Sequence, residues 1–356
     1  MHPTPGGGPT PLVIRTAPDA IAAVPYLLGF HPSRSLVVIG FSGPHQTCAI
    51  RLDLPSAELT GEAAERVAAM LAGNAFRGAL LLGYGPADEV ALAVGPMSAA
   101  LEARGLAVPE AIRIADGRWW SLTCPDETCC PPGGTPYDSS GSAIAAQATF
   151  AGQVALADRA ELVRSVEPVG GLVRTAMRAA TGRAERRFLN WARDGLGHAQ
   201  IQSRLSQEGL ALLPGLLART RDGPPSHDET AWLGVLLTSL RVRDEAWIRV
   251  DQDAPGADIA FWRDILRRVE RPYAAAPACL LAFAAYSAGD GGLANIALDR
   301  ACDADPRYSM AFLLREVIAA GIPPSQAQMR MTPEQLAAAY TDQGDGSPGE
   351  ETHKAG

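Results

Sequence analysis

Short runs of apolar residues alternate with helical patterns in the first third of the chain. Residues 36–39 and 79–82 are continuous apolar runs, and each is followed by a turn that contains glycine. Such runs are typical of strands that are buried on both faces of a sheet. Residues 48–53 alternate apolar and polar side chains, which predicts a strand that pairs with the first run in antiparallel orientation.

Helical patterns separate and follow these strands. Apolar side chains recur every three or four positions over residues 60–73, and a second helix is predicted over residues 87–104. Asp116 and Gly117 then lie between two short strand patterns, and Asp-Gly is a favoured sequence for a two-residue hairpin turn. This mixture predicts an α/β fold with a mixed sheet and flanking helices.

The pattern becomes almost wholly helical after residue 135, which predicts an all-α domain behind the α/β domain. The terminal segments are rich in proline, glycine and polar residues and lack the apolar side chains of a core. The predicted organisation is a disordered segment at residues 1–11, an α/β domain at 12–135, a helical middle region at 136–228, a helical region at 229–340 and a disordered tail at 341–356.

One spacing in the last helical region matches a known repeat. Pro272 and Pro306 are 34 residues apart, which is the length of a tetratricopeptide repeat. Ala294 and Ala301 between them are small enough for close contact between two helices. Because one repeat can be traced, we expect a tetratricopeptide-like helical hairpin at this end of the chain and not a repeat array.

Composition narrows the classes of partner. The chain has 356 residues, 47% hydrophobic and 20% charged, which is ordinary for a soluble globular protein. Its net charge of −8 argues against electrostatic attraction to nucleic acid or to an anionic membrane, so neither is predicted as a partner. The N-terminus has no secretory pattern, and the longest apolar run is broken by Pro277. We therefore expect a cytoplasmic protein whose cysteines are reduced.

The densest group of reactive side chains lies in residues 124–134, which we name the cysteine loop. It contains Cys124, Cys129 and Cys130 among prolines and glycines. Three thiolates would bind zinc if a fourth ligand came from elsewhere, such as His31 or Cys48. The spacing differs from that of the common Cys-x2-Cys zinc knuckle, so the motif alone does not identify the metal.

Two other interpretations of the cysteine loop remain open. Adjacent cysteines could form a regulatory disulfide with Cys124. Alternatively, the thiols are small apolar groups that pack against Trp119 and Trp120, and the loop is a structural brace. The sequence alone does not decide among metal binding, redox chemistry and packing.

A second set of candidate residues lies at the ends of the predicted strands. If the two apolar strands are parallel neighbours, their glycine turns meet at one edge of the sheet, where open α/β folds bind ligands. Neither turn has the pattern of a nucleotide-binding loop, and glycine is also needed for tight turns. The candidate ligand-binding residues in these segments are His31, Ser33, Gly40, Gly43, Gly83, Gly85, Asp88 and Asp116.

His31 has a catalytic and a structural interpretation. It would be a general base if Ser33 or Ser35 were a nucleophile. However, catalytic groups are usually brought together by the fold and not by proximity in sequence, and no acidic residue is near enough in sequence to orient His31. A histidine that fixes the turn before a strand is the simpler interpretation.

Three segments together resemble one family of proteins. They are residues 24–37, residues 118–136 with the Trp-Trp and Cys-Cys-Pro-Pro-Gly-Gly sequences, and residues 273–314. They resemble the actinobacterial family described as domain of unknown function 4192, and the resemblance covers nearly the whole chain. It implies a shared fold, and it implies no activity, ligand or catalytic residue.

The sequence supports three functional hypotheses. The first is a non-enzymatic binding or adaptor protein that uses its helical half or an inter-domain pocket to hold a protein partner. The second is an enzyme that acts on a small intracellular molecule at the strand ends. The third is a thiol- or zinc-dependent switch at Cys124, Cys129 and Cys130.

Overall fold

The computed structural model describes residues 14–43, 46–54, 60–139, 141–150, 154–219, 223–328 and 330–344. These residues form two compact units. Unit 1 comprises the described residues up to 165 together with 289–293 and 315–323, and unit 2 comprises 166–288, 294–314 and those from 324 onward. The predicted disorder of residues 1–11 lies outside the described residues. The predicted domain boundaries remain predictions.

Unit 1 contains, among its described residues, a six-stranded mixed sheet. Its strands are β1 (Ser35–Gly43), β2 (Gln46–Asp53), β3 (Gly78–Tyr84), β4 (Ala107–Ala115), β5 (Arg118–Ser121) and β6 (Thr135–Pro136). Their order is β2-β1-β3-β4-β5-β6, with β3 and β4 parallel and the other neighbours antiparallel. The prediction of a mixed sheet is confirmed.

Two local predictions about this sheet are also confirmed. β1 and β2 are antiparallel, with Ser35 opposite Asp53. β4 and β5 form a hairpin that turns at Asp116 and Gly117, whose φ angles are 51° and 70°. A type I′ turn requires positive φ at both central residues, which explains why Asp-Gly occurs here.

Helices cover the sheet of unit 1. They are α1 (Ala17–Leu28), α2 (Thr60–Gly73), α3 (Ala87–Ala103), α4 (Ala143–Phe150) and α5 (Arg159–Arg164). Leu71 of α2 and Leu101 of α3 pack in one core cluster with Leu36 and Leu81 of the sheet. Each of these side chains is almost fully buried, and burying one leucine stabilises a fold by about 1.5–3 kcal/mol. This cluster therefore fixes α2 and α3 on one face of the sheet.

The second half of the chain is mostly helical, as predicted. Its helices are α6 (Gly171–Arg193), α7 (His198–Ala218), α8 (His227–Leu236), α9 (Leu240–Ile248), α10 (Gly256–Arg268), α11 (Ala275–Ser287), α12 (Gly291–Ala304), α13 (Ser309–Ala319) and α14 (Pro333–Gly344). Helix α14 includes the first residues of the predicted tail, and residues 345–356 lie outside the described residues. Across the described ranges, no helix is long and apolar enough to cross a bilayer.

Helix α9 of unit 2 contains a buried carboxylate. Glu245 is 2% exposed and lies between Arg241 and Arg249. Its Oε2 atom accepts a hydrogen bond of 2.7 Å from Arg241 Nη1, and its Oε1 atom accepts one of 2.9 Å from Arg249 Nε. Each arginine is four residues from Glu245: Arg241 lies within α9, and Arg249 is the residue that caps its C-terminus.

Candidate functional site

The cysteine loop connects β5 to β6 and brings three thiols together. The Sγ atoms of Cys124, Cys129 and Cys130 all lie within 4.8 Å of one another. Cys129 is exposed, and the other two are partly buried. This trio is the one group of three or more histidine, cysteine, aspartate or glutamate ligands that clusters in the described part of the chain. It includes all three thiols that the sequence singled out.

A turn centred on Asp126 folds the loop back on itself. The Asp126 carbonyl accepts hydrogen bonds from the backbone N–H groups of Cys129 at 3.2 Å and Cys130 at 2.7 Å. Its side-chain Oδ1 accepts another from the Thr128 N–H at 2.8 Å. This last bond is the main cause of the lowered pKa of Asp126, since it favours the ionised carboxyl. The turn carries Cys129 and Cys130 back toward Cys124.

The start of the cysteine loop is anchored to the β4–β5 hairpin by Glu110. The Ser121 hydroxyl donates to Glu110 Oε1 at 2.6 Å, and Thr123 Oγ1 donates to the same atom at 2.8 Å. Ser121 Oγ also accepts a hydrogen bond of 3.0 Å from the Cys124 backbone N–H. Cys124 is thus positioned through Ser121 by a carboxylate on the neighbouring strand.

The end of the cysteine loop packs on Trp120. The indole Nε1 donates to the Pro132 carbonyl at 2.9 Å. Gly134 has φ +73°, and a Cβ atom there would lie 2.4 Å from the Trp120 ring, so only glycine fits this position. Arg118 Nη1 donates to the Gly134 carbonyl at 2.8 Å. The guanidinium of Arg113 lies over the Trp120 ring, 4.1 Å from the ring centroid. These contacts hold both ends of the loop in place.

The surroundings of Cys130 favour the protonated form of its thiol. The pKa of Cys130 is raised to about 12, chiefly by its hydrogen bond with Cys124, then by desolvation and by Cys129. A thiol is a metal ligand only as the thiolate, so a bound cation has to displace these protons. The group can therefore exchange protons for a thiophilic metal ion.

A cavity of about 230 Å³ adjoins the thiols. Cys124 and Cys130 form part of its wall, together with the two tryptophans and Glu127. The complete lining is Trp119, Trp120, Ser121, Cys124, Pro125, Glu127, Cys130, Pro131, Pro132 and Thr135. Both apolar rings and polar side chains therefore face the space next to the sulfur atoms.

The two residues expected to complete a zinc site are not brought to the thiol group. Cys48 is on β2, at the opposite edge of the sheet from β5 and β6, and burial raises its pKa. His31 lines a different cavity of about 620 Å³ with Tyr26, Ser139 and Ser142. In the described residues the three cysteines stand as the whole group.

The two glycine turns do not meet, because β1 and β3 are antiparallel and the parallel arrangement that their meeting required is not formed. Helix α2 is the crossover that makes β2 and β3 parallel, and β1 lies between them and runs against both. Gly40 and Gly43 consequently lie toward one end of the paired strands, and Gly83 and Gly85 lie toward the other end. Local sequence patterns gave no information on this orientation.

Three of these glycines have packing roles. A Cβ atom on Gly40 would lie 2.7 Å from Leu71 of α2, and one on Gly83 would lie 2.3 Å from Val90 of α3. Glycine at these positions lets the helices approach the sheet closely. Gly43 is similar, because its Cβ would lie 2.8 Å from the ring of Phe76.

The remaining strand-end candidates share one edge of the sheet. Gly85 follows β3, Asp116 follows the parallel β4, and Ser33 precedes β1, whose Ser35 pairs with Tyr84 at the end of β3. The Gly85 carbonyl accepts a hydrogen bond from Arg113 Nε at 3.0 Å, and the Ser33 carbonyl accepts one from the Ser35 hydroxyl at 2.7 Å. Both of these bonds fix the backbone.

The acidic candidates and His31 are in open positions. Asp88 in the first turn of α3 and Asp116 in the hairpin turn are both exposed. The His31 backbone N–H donates to the Leu156 carbonyl at 3.0 Å, which fixes the turn before β1, while its side chain is exposed. Whether any of these residues binds a ligand remains a prediction.

Sequence reasoning missed Glu110, which positions Cys124 through Ser121. A signal for it was present, because the Asp116-Gly117 turn fixes the register of the β4–β5 hairpin. That register pairs Ile112 with Ser121, so Glu110, two residues earlier on the same face, lies near Thr123. Hairpin register was therefore sufficient to place a carboxylate beside the cysteine loop.

Comparisons with known proteins give one result at the level of family. No curated protein and no solved structure matches the chain. One family model matches residues 18–325, which is most of the chain and includes the cysteine loop. The protein belongs to this family, which is described as domain of unknown function DUF4192.

Proposed function

We propose that the cysteine loop binds a zinc ion through Cys124, Cys129 and Cys130. The observation that carries the proposal is the clustering of their three Sγ atoms within 4.8 Å. Zinc binds thiolate sulfur at about 2.3 Å in a tetrahedral arrangement, which separates neighbouring sulfurs by about 3.8 Å. A contraction of about 1 Å in the exposed loop, within the range of side-chain rotamer changes, would close the site around the ion.

The proposed role of the ion is to order the end of the sheet in a thiol-dependent way. The loop is fixed at its start through Glu110 and at its end through Trp120, and the thiols lie between these anchors. Zinc binding would cross-link the middle of the loop, and thiol oxidation would release the ion. We also propose a cytoplasmic location, since the thiols remain reduced and available there.

Native mass spectrometry on reductant-protected protein tests this proposal. We expect a mass excess of one zinc over the denatured chain, lost in Cys124→Ser, Cys129→Ser and Cys130→Ser. Cys302→Ser is the matched control, because Cys302 is partly buried in α12, outside the loop, and the zinc should remain. A bare mass for the wild-type chain after zinc addition contradicts the proposal. A mass lower by two hydrogen atoms supports a disulfide in its place.

A second candidate function is the adaptor role, through a tetratricopeptide-like helical end. In its favour, α11 and α12 have 13 and 14 residues, and Ala282, Ala285 and Ala297 on them are fully buried. Adjacent residues Phe312 and Leu313 on α13 are 52% and 51% exposed. Small buried residues suit closely packed helix pairs, and exposed apolar residues suit a protein partner.

Partner capture tests the adaptor role. The double variant Phe312→Ser with Leu313→Ser should lose binding of any protein that co-purifies with the tagged wild type. Leu92→Ser is the control, since Leu92 is equally exposed, at 53%, on α3 of unit 1. Equal capture by both variants removes α13 from the proposal.

A further inference from the structure

The three thiols would bind a metal ion from one side. They come from a single segment of seven residues, 124–130, folded by the Asp126 turn. Ligands supplied by one short segment occupy one face of a tetrahedral ion. The space on the opposite face decides what completes the coordination, and zinc sites with three protein ligands take an exchangeable ligand there.

The cavity of about 230 Å³ provides space of this kind, because Cys124 and Cys130 are part of its wall. One water molecule occupies about 30 Å³ in the liquid, so the cavity has room for a molecule on the order of seven or eight non-hydrogen atoms. Its shape is maintained by Trp120, which donates to the Pro132 carbonyl, and by Ser121, which is held by Glu110.

The charges around the cavity select the class of ligand. Zinc with three thiolates has a net charge of about −1, and the Glu127 carboxylate on the wall adds another negative charge. An anion would be repelled by both. Trp119, Trp120 and three prolines provide apolar surfaces on the remaining walls. These features favour a neutral, flat molecule with a nitrogen donor.

We infer that the cysteine loop, once loaded with metal, binds a small neutral nitrogen heterocycle at the ion through this cavity. The inference rests on the proposed zinc site and adds an open coordination position and a class of ligand. It makes the loop a sensor or binding site for a small molecule, in addition to a cross-link.

Cobalt substitution tests this inference on the full-length chain. Co(II) replaces zinc in thiolate sites and has visible absorption that reports its ligands. Imidazole is the probe, acetate is the anionic comparison, and the reductant is a phosphine so that no free thiol competes. We expect imidazole to change the cobalt spectrum with saturation at one equivalent per site, and acetate to bind at least tenfold more weakly.

Two bulky substitutions test the route through the cavity. Glu127→Phe fills the cavity from its wall and should retain cobalt while weakening imidazole binding by at least tenfold. Thr128→Phe adds the same bulk at the next position, which is exposed and does not line the cavity, and should leave imidazole binding unchanged. Equal effects of the two variants, or no effect of either, overturn the inference.

The outcomes separate this inference from the proposed function. Absence of cobalt binding to the wild type contradicts both. Cobalt binding that is lost in Cys124→Ser but whose spectrum does not respond to imidazole retains the metal site and overturns the inference. A Glu127→Gln variant whose spectrum differs before imidazole is added identifies Glu127 as a ligand, which also overturns the open position. Stronger acetate binding in that variant supports the inference.

Discussion

The thiols of the cysteine loop in unit 1 and the Glu245 carboxylate of α9 in unit 2 differ in whether they are paired with groups of opposite charge. In α9, the two oxygens of Glu245 accept hydrogen bonds from Arg241 of the same helix and from Arg249 at its C-cap. In the loop, the backbone is anchored by hydrogen bonds, whereas the thiols contact one another beside a cavity. The buried charge is already neutralised by its neighbours, and the thiols still have the capacity to bind a cation.

The two units also differ in their buried charged side chains. Among the described residues, the buried charged side chains are Arg243, Glu245 and Arg268, and all three belong to unit 2. A buried ion pair is costly to break, because removal of one partner leaves the other charge buried and uncompensated. The buried polar side chains in the described part of unit 1 are the uncharged Ser35 and Thr60, and the thiols of the cysteine loop are exposed or partly buried.

The largest expected effect is that of Glu245→Gln. The substitution leaves Arg241 and Arg249 without a counter-charge, and breaking a buried ion pair costs about 3–5 kcal/mol. Hydrogen exchange resolved to α9 should show opening free energies lower by this amount. Metal binding by the loop should be unchanged.

Glu208→Gln is the matched control. Glu208 also pairs with two arginines, Arg187 and Arg204, but their side chains are 53% and 46% exposed. Solvent screening limits such pairs to about 1 kcal/mol or less. If the two glutamine variants lower the stability by the same amount, the distinction between a buried and a screened ion pair fails for unit 2.

An intermediate effect is expected from Gly134→Ala. Alanine at φ +73° is strained, and its Cβ would lie 2.4 Å from the Trp120 ring, which together cost roughly 1–3 kcal/mol. We expect zinc affinity, measured by competition with a chromophoric chelator, to fall by about tenfold for each 1.4 kcal/mol.

Gly133→Ala is the control for this change. A Cβ atom at Gly133 has no neighbour within 4 Å, and its φ is not in the left-handed region. Its zinc affinity should equal that of the wild type. Equal losses in both variants would show that the loop responds to any stiffening and that the Trp120 contact is not what positions the thiols.

The smallest effect is expected at Glu229, a partly exposed carboxylate that is less buried than Glu245. Its carboxylate accepts a hydrogen bond from Arg219 Nη2 at 2.6 Å and one from the Ser226 backbone N–H at 2.8 Å. Arg219 is the main cause of its pKa, which is lowered to about 2. A lowered pKa means that the folded state favours the ionised form, so the stabilisation is present above about pH 4.5 and is lost as pH falls toward about 2.

Glu229→Gln should remove this pH dependence. At neutral pH the variant should be less stable by roughly 1 kcal/mol, because solvent screens a side chain that is 30% exposed. Thermal unfolding measured from about pH 6 to about pH 3 should show the difference narrowing with acidification. A difference that is constant with pH would mean that the carboxylate charge does not contribute.

Local signals in the sequence predicted most of the elements of the sheet domain. The apolar periodicity of residues 60–73 gives helix α2 with the same bounds, and Asp116-Gly117 gives the β4–β5 turn. Both depend on residues close in sequence. The orientation of β1 relative to β3 does not, because it is set by a crossover helix, and the placement of Gly40 and Gly43 failed for that reason.

The sequence predicted which side chains form the candidate site, but it did not predict their arrangement in space. Three cysteines in one short segment identify the chemistry directly from the sequence. Their approach to one another depends on the Asp126 turn and on Glu110, which lies on another strand. The cavity depends on two tryptophans and the loop prolines folding around the same space, which no single pattern encodes.

The two-residue strand β6 protects one edge of the sheet from pairing with a further strand. It is the last strand of the sheet, and one of its residues is Pro136, which has no backbone N–H to offer to a further strand. The cysteine loop delivers β6 to this position, so a loop that comes apart would leave β5 as an unprotected edge. The backbone groups of Arg118 and Trp119, which pair with β6, would then be free to pair with a strand of another copy.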